Sequence, residues 1–378
     1  MVNVRRILYI SHAYNNRAGV EEHIKSLGTA LAGAYEVSYL YPERGALHLR
    51  NHRGEITSLP VPEVAWPVTQ FSDDHFDRAL TTLLKQAAPD LIHLHHFINY
   101  PLSILSLVHE CSVPVFISHH DYFAITPHYT MQGVRDPKLC TSAVYAAKIF
   151  GQDIASYLQE RQRFIAAAFA RTHRHIAPSQ ALATTLRSLY DIPITVIPHG
   201  ITPFTAREKT PSSALRFGYV GSILPQKGWE FLAKTFISLG IPADVATLHF
   251  YGGSFNHPYP DKISVHGVYN QQDLPQITSS IDIGIIPSLF AETFSLVLSE
   301  LWMGNTPVIA PRFGAFPERI REDIDGKLFT PGDPQALGAA ITSCIKERDT
   351  QRWQITPPRT VTEMAHDYST LYQEHLSS

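Results

Sequence analysis

The chain has 378 residues, too many for one ordinary domain and suited to two of similar size. Its 44% hydrophobic content can fill two cores, and Lys+Arg 31 against Asp+Glu 34 leaves no electrostatic footprint for nucleic acid. Three scattered cysteines (Cys111, Cys140, Cys344), no leader-like start and no apolar run of transmembrane length predict a soluble, cytoplasmic protein without disulfides.

Residues 6–12 read as a first strand, and residues 15–19 as a flexible loop ending in Gly19. Val20, Ile24, Leu27 and Leu31 then recur at helical spacing, with Gly33 as the stop. A second strand covers 35–41, while 42–74 is mixed and proline-bearing and carries only loops and short strands. A helix over 75–88 leads to a strand at 91–96 containing His93, His95 and His96. The strand at 113–118 ends in His119-His120-Asp121-Tyr122. Both histidine clusters fall at carboxyl ends of expected parallel strands, where functional side chains gather. Residues 122–140 form an aromatic, proline-rich loop with His128, and 142–171 is expected to be helical, including Arg161 and Arg163. A strand end at 173–179, a helix from Gln180 and a strand at 194–201 close the first half. The polar, proline-flanked stretch 203–213 reads as a linker.

The second half opens with a strand at 215–220 and the loop Gly221-Ser222-Ile223-Leu224-Pro225-Gln226-Lys227-Gly228. A helix follows with Trp229, Leu232 and Phe236 on one face, then strands at 247–251 and 263–265 and a further helix. The apolar run 281–286 suits a buried parallel strand. It places Glu292 at a strand-to-helix junction and Glu300 about two turns inside the helix. Residues 305–310 form another buried strand, ending in Gly314-Ala315-Phe316-Pro317-Glu318. The last helix, 361–376, carries Met364, Tyr368, Leu371 and Tyr372 as a stripe.

Two carboxylates near the amino end of one helix can grip hydroxyl groups. The backbone N–H groups of Thr293, Phe294, Ser295 and Leu296 can meanwhile face an anion. Sugar hydroxyls plus a diphosphate, a nucleotide-sugar, meet both demands; the plainer alternative is a capping Glu292 and a solvated Glu300. Lys227 in a first helical turn opposes the macrodipole, and a bound diphosphate reverses the sign of that argument, with Gly228 giving phosphate oxygens close approach. The alternative is a solvated surface lysine. His93 and His95, two apart on a strand, share a face, so with His120, Asp121 and His175 they could form a metallohydrolase-like site.

Glu292-x7-Glu300, Pro307-Val308-Ile309-Ala310 and Gly314-x-x-Pro317-Glu318 together resemble the retaining glycosyltransferases of family four, which have the GT-B fold. Ala18-Gly19-Val20-Glu21 is similar to the family's Gly-Gly-hydrophobic-Glu run, and His120-Asp121 to its His-Asp or His-Gly pair. Lys227-Gly228 matches the end of Gly-Arg-Leu-x-x-x-Lys-Gly, with Ser222 replacing the arginine. Ser295 stands where glycine is usual, and His199 where asparagine is usual.

The resemblance implies an α/β protein of two Rossmann-like domains facing each other across a cleft. Residues 1–203, completed by a returning helix at 361–378, would bind acceptor, and 204–360 the donor. It implies catalytic roles for His120, beside the donor sugar, and Glu292, on the sugar hydroxyls. Donor contacts would come from Gly19, Ser222, Lys227, Gly228, Thr293, Phe294, Ser295, Leu296 and Glu300, the last on the ribose. Asp121, Tyr122 and His128 are the acceptor-side candidates. The implied reaction is metal-independent, retaining transfer from a UDP- or GDP-linked sugar to a hydroxyl of a glycan, glycolipid or polysaccharide precursor. It needs no cofactor beyond the nucleotide-sugar and is compatible with peripheral contact at the inner face of the membrane. The rivals are a sugar-nucleotide epimerase of the same architecture, a metal-dependent amidohydrolase using the histidines, and an inert sugar-binding protein.

Overall fold

A computed structural model describes residues 4–16, 18–131 and 133–376. Arg17 of the first loop, Gln132 of the aromatic loop, and Ser377 and Ser378 of the 361–378 segment lie outside the described residues. The chain divides into two compact units, residues 1–199 with 361–378, and residues 200–360.

The first unit runs β1 (Arg5–Ile10), α1 (Gly19–Leu31), β2 (Tyr35–Glu43), β3 (Ala46–Arg50), β4 (Ile56–Pro60), α2 (Asp74–Ala87) and β5 (Leu91–Leu94). It continues with α3 (Ile104–Leu107), β6 (Val115–Ser118), α4 (Ala143–Phe150), α5 (Ala155–Phe169), β7 (Arg174–Ala177), α6 (Gln180–Arg187) and β8 (Ile194–Val196). The strands form one sheet in the order β4-β3-β2-β1-β5-β6-β7-β8, parallel except for the β2–β3 and β3–β4 pairs. β5 and β6 are buried at every residue, as parallel strands covered on both faces require. The chain leaves β1 in one direction for β2 and returns on the other side at β5. That reversal opens a crevice at the carboxyl ends of β1 and β5, from which Ser11-His12 and His95-His96 emerge.

Local sequence explains most boundaries. The Asp73 carboxylate accepts from the backbone of His75 and Phe76 at 3.0 and 2.8 Å, a cap of about 1 kcal/mol at the start of α2. The segment expected to be helical over 142–171 consists of two helices. Gly151 caps α4, and Asp153 accepts from Ala155 N at 3.2 Å to start α5 on a new axis.

The second unit contains β9 (Leu215–Val220), α7 (Trp229–Ser238), β10 (Ala246–Tyr251), β11 (Ile263–Val265), α8 (Leu274–Ser280) and β12 (Ile283–Ile285). After these come α9 (Leu296–Met303), β13 (Val308–Pro311), α10 (Phe316–Arg319), β14 (Gly326–Phe329) and α11 (Pro334–Lys346). The sheet order is β11-β10-β9-β12-β13-β14, every pair parallel, so its reversal lies between β9 and β12. The stretch read as a linker is held on this unit: Lys209 Nζ donates to Thr278 O, Ile281 O and Thr306 Oγ1 at 2.6–2.8 Å.

The chain ends in α12 (Val361–Leu376), which packs into the core of the first unit. Met364, Tyr368 and Tyr372 are fully buried there with Ile7, Tyr9, Leu27, Leu91 and Phe116, each large apolar side chain worth about 1.5–3 kcal/mol of burial. Among the described residues no helix is long and apolar enough to cross a membrane.

Candidate functional site

In the second unit the loops after β9 and β12 meet at the sheet's reversal. Leu289 N donates to Gln226 O at 2.9 Å. Gly228, at φ 76°, lies so close that a Cβ there would meet Pro287 O at 2.0 Å. That approach brings Lys227 Nζ to 2.8 Å from Glu292 Oε1. Ser288 Oγ donates to the same oxygen at 2.6 Å, and the ammonium lies 5.0 Å from the centre of the Phe290 ring. Glu292 is 7% exposed, whereas the Lys227 side chain is 33% exposed. The carboxylate is therefore fixed by two donors, and the ammonium keeps a face toward solvent with donors to spare.

Glu292 stays in the loop rather than at the helix start. α9 begins at Leu296, so Glu300 lies one turn inside it instead of two. Ser295 caps the helix with Oγ 3.4 Å from Leu298 N and adopts φ 69°, which accounts for glycine being the commoner residue in the motif. Gly314 lets the β13–α10 loop lie on Glu292, since a Cβ there would meet Glu292 O at 2.3 Å; Ala315 N donates to that oxygen at 2.8 Å. Arg319 fastens the turn from below: its guanidinium donates to the carbonyls of Phe294 and Ser295 and to Ser299 Oγ, and stacks 3.8 Å from the Phe294 ring centre. Burial lowers its pKa to about 9. Sequence reasoning missed Arg319 and Ser288, although each adjoins a motif it used. Ser222 offers its carbonyl to Tyr219 Oη at 2.6 Å, tying down the loop after β9.

In the first unit, Ala18 has φ −123°, so the alanine in place of the family's first glycine is unstrained. Gly19 begins α1, whose Glu21 is fully buried with His12 Nε2 3.3 Å from Oε1 and no hydrogen bond to either oxygen. His120 is buried after β6, its Nε2 3.2 Å from His95 Nδ1 and its Nδ1 3.4 Å from His199 Nε2. Asp121 accepts from Phe123 N at 2.8 Å and lies 3.1 Å from His96 Nε2. Arg161, buried in α5, holds the carbonyls of Phe123 and Ala124 and so fixes this loop. Tyr122 is buried, and His128 is half-buried with Nδ1 2.8 Å from Thr130 Oγ1.

The metallohydrolase set does not assemble as expected. His93 has Nδ1 2.6 Å from Tyr372 Oη and Nε2 2.8 Å from Ser118 Oγ, leaving no nitrogen for an ion. His175 is bound to His119 and to Phe169 O. The histidines that do converge are His23, His95 and His120. His23 on α1 was absent from the sequence-based set because its partners follow β5 and β6, far away in the chain.

A family model described as Glycosyltransferase Family 4 matches residues 17–203, and one described as Glycosyl transferases group 1 matches residues 214–347. The chain belongs to the family-four glycosyltransferases. Sulfoquinovosyl transferase SQD2 of Arabidopsis thaliana is 23% identical over 286 residues, 70% of this chain and 51% of that protein. The D-inositol 3-phosphate glycosyltransferase of Mycobacterium marinum is 31% identical over 77 residues, 20% of this chain and 16% of that protein. The chain thus spans about half, or less, of the curated relatives it matches. Sucrose-phosphate synthase from Thermosynechococcus elongatus superposes with TM-score 0.72 at 18% identity, covering 99% of both chains. Anabaena HepE, in complex with UDP and glucose, gives 0.66 at 16% identity, covering 97% of this chain and 99% of that one. This glycosyltransferase therefore has the GT-B fold, with one doubly wound sheet in each unit.

Proposed function

We propose that this glycosyltransferase moves a sugar from a UDP- or GDP-linked donor to a hydroxyl of a glycan, glycolipid or polysaccharide precursor, retaining the anomeric configuration and using no metal in the transfer. The observation that carries the reading is the meeting of Lys227, Ser288 and Glu292 beside the start of α9, at the reversal point of the second unit's sheet. An ammonium with spare donors beside the amino end of α9 suits a diphosphate. Glu292 suits sugar hydroxyls and Glu300 the ribose. The complex of HepE with UDP and glucose supports the same class of donor.

In the proposed reaction the anomeric C–O bond to the diphosphate breaks while the acceptor oxygen bonds to the same carbon from the same face. The acceptor's proton passes to the departing phosphate oxygen. Lys227 offsets the charge that grows on that leaving group, so the residues contribute positioning and electrostatic stabilisation and no covalent nucleophile is needed. His120 is assigned to the transfer step rather than to nucleotide binding.

A nucleotide that binds the native state at a hundred times its Kd stabilises it by about 2.7 kcal/mol. UDP or GDP should therefore raise the Tm of the full chain without added metal, and EDTA should leave the shift intact. Stabilisation by every nucleotide only in the presence of a divalent ion overturns the assignment.

A further inference from the structure

We propose that His23, His95 and His120 bind one divalent transition-metal ion of the zinc type inside the first unit. One nitrogen from each of these buried side chains lies within 4.8 Å of the others. His95 Nδ1 and His120 Nε2 stand 3.2 Å apart, close to the roughly 3.3 Å between two nitrogens of a tetrahedral zinc site with bonds of about 2.0–2.1 Å. His23 completes the set, with one nitrogen within 4.8 Å of the other two ligand atoms.

His23 supplies the independent sign that something polar belongs here. It is 3% exposed, yet neither ring nitrogen has a hydrogen-bond partner. A neutral imidazole always presents one lone pair and one N–H, and a buried pair of this kind is ordinarily satisfied. An ion at the centre uses the lone pairs. The neighbours hold the rings as outer partners of a metal site do. His199 Nε2, 3.4 Å from His120 Nδ1, can take its proton, leaving Nε2 for the ion. The rings of His93 and Tyr9 lie 4.0 and 4.6 Å from that of His95 and fix its plane.

The donor set decides the ion. Three imidazoles without a carboxylate suit zinc, copper, nickel or cobalt and reject magnesium and calcium, which require oxygen ligands. The proposed transfer makes no use of the ion. Nucleotide binding is assigned to residues of the second unit, so it can stand or fall apart from the metal; the part of His120 in the transfer is the one assignment the two readings share.

The test uses the untagged full chain after chelator treatment, titrated with zinc against a competing chromophoric chelator. One equivalent should bind, and His23→Gln and His95→Gln should each weaken it by at least about tenfold while far-UV circular dichroism is unchanged. His366→Gln, at an exposed position of α12, should bind as the wild type does. Cobalt loaded into the wild-type chain should give the intense visible bands of a four-coordinate site with three imidazole nitrogens and one solvent ligand. That measurement needs no variant, so it decides the matter even if both glutamine variants misfold. Zinc bound no more tightly than by His23→Gln, or cobalt without those bands, overturns the proposal.

Discussion

Glu300 lies one turn into α9, near enough that its charge adds to burial in raising the pKa of the Tyr269 phenol. If its carboxylate holds ribose hydroxyls, Glu300→Ala should cost about 1.5–3 kcal/mol of UDP or GDP binding, measured by calorimetry. The helix tolerates alanine, so folding should survive. His120→Ala should behave in the opposite way, lowering kcat by about a hundredfold or more with nucleotide affinity kept within about twofold. Equal loss of nucleotide affinity in both variants, with turnover retained in His120→Ala, would remove both assignments. The candidate residues of the second unit were legible because each sits in a short motif at a strand end. Their mutual contact was not: Lys227 and Glu292 are brought together by the loop packing at Gly228, which no local pattern records. His23 was missed for the same reason, since a cluster drawn from a helix and the ends of several strands has no spacing to read.

At the scale of elements, α12 is fastened to the first unit by a buried polar chain. Tyr372 Oη is 3.2 Å from Tyr9 Oη and 2.6 Å from His93 Nδ1, and Tyr368 Oη is 3.2 Å from Ser118 Oγ. Tyr372→Phe takes away the hydroxyl that both Tyr9 and His93 use. The first unit should lose about 1–3 kcal/mol in urea unfolding while the second unit's transition stays in place. An unchanged first transition would show that water or a rearranged ring satisfies both groups. The stripe of α12, the two sheet cores and the main crossover helices were all readable from apolar spacing. The bounds of the short strands β3 and β4 were not, because partly exposed strands of five residues carry too few apolar positions to separate strand from loop. β14 and α11 went unassigned although Asp333 caps the helix, accepting from Gln335 N and Ala336 N at 2.8 and 3.0 Å.

The molecule as a whole is weighted toward buried neutral histidine in its first unit, and this sets its response to acid. Burial lowers His175 to about 4 from an unfolded value near 6.5, with Phe169 O, His119 and His109 as its polar neighbours. His109, partly buried beside Arg171 and His173, is likewise lowered to about 4. A depressed imidazole pKa means that the unfolded chain takes up the proton first. The stability is therefore complete above about pH 6.5 and drains away as pH falls toward 4. His175 alone steepens that loss by up to about 1.4 kcal/mol per pH unit. Urea midpoints for the first unit should fall steadily from pH 7 to pH 4.5, and a flat profile over that range would show that these groups titrate normally.

The position of α12 also orders events during synthesis. The core around β1 and β5 lacks Met364, Tyr368 and Tyr372 until the ribosome has passed Leu376. By then residues 200–360 have already been made, which at 5–20 residues per second takes roughly 8–30 s. The second unit can thus close while the first, begun earlier, still waits for its final helix. For that interval the nascent chain carries an exposed apolar groove over Tyr9, Leu91 and Phe116, a natural target for chaperones that bind emerging polypeptides.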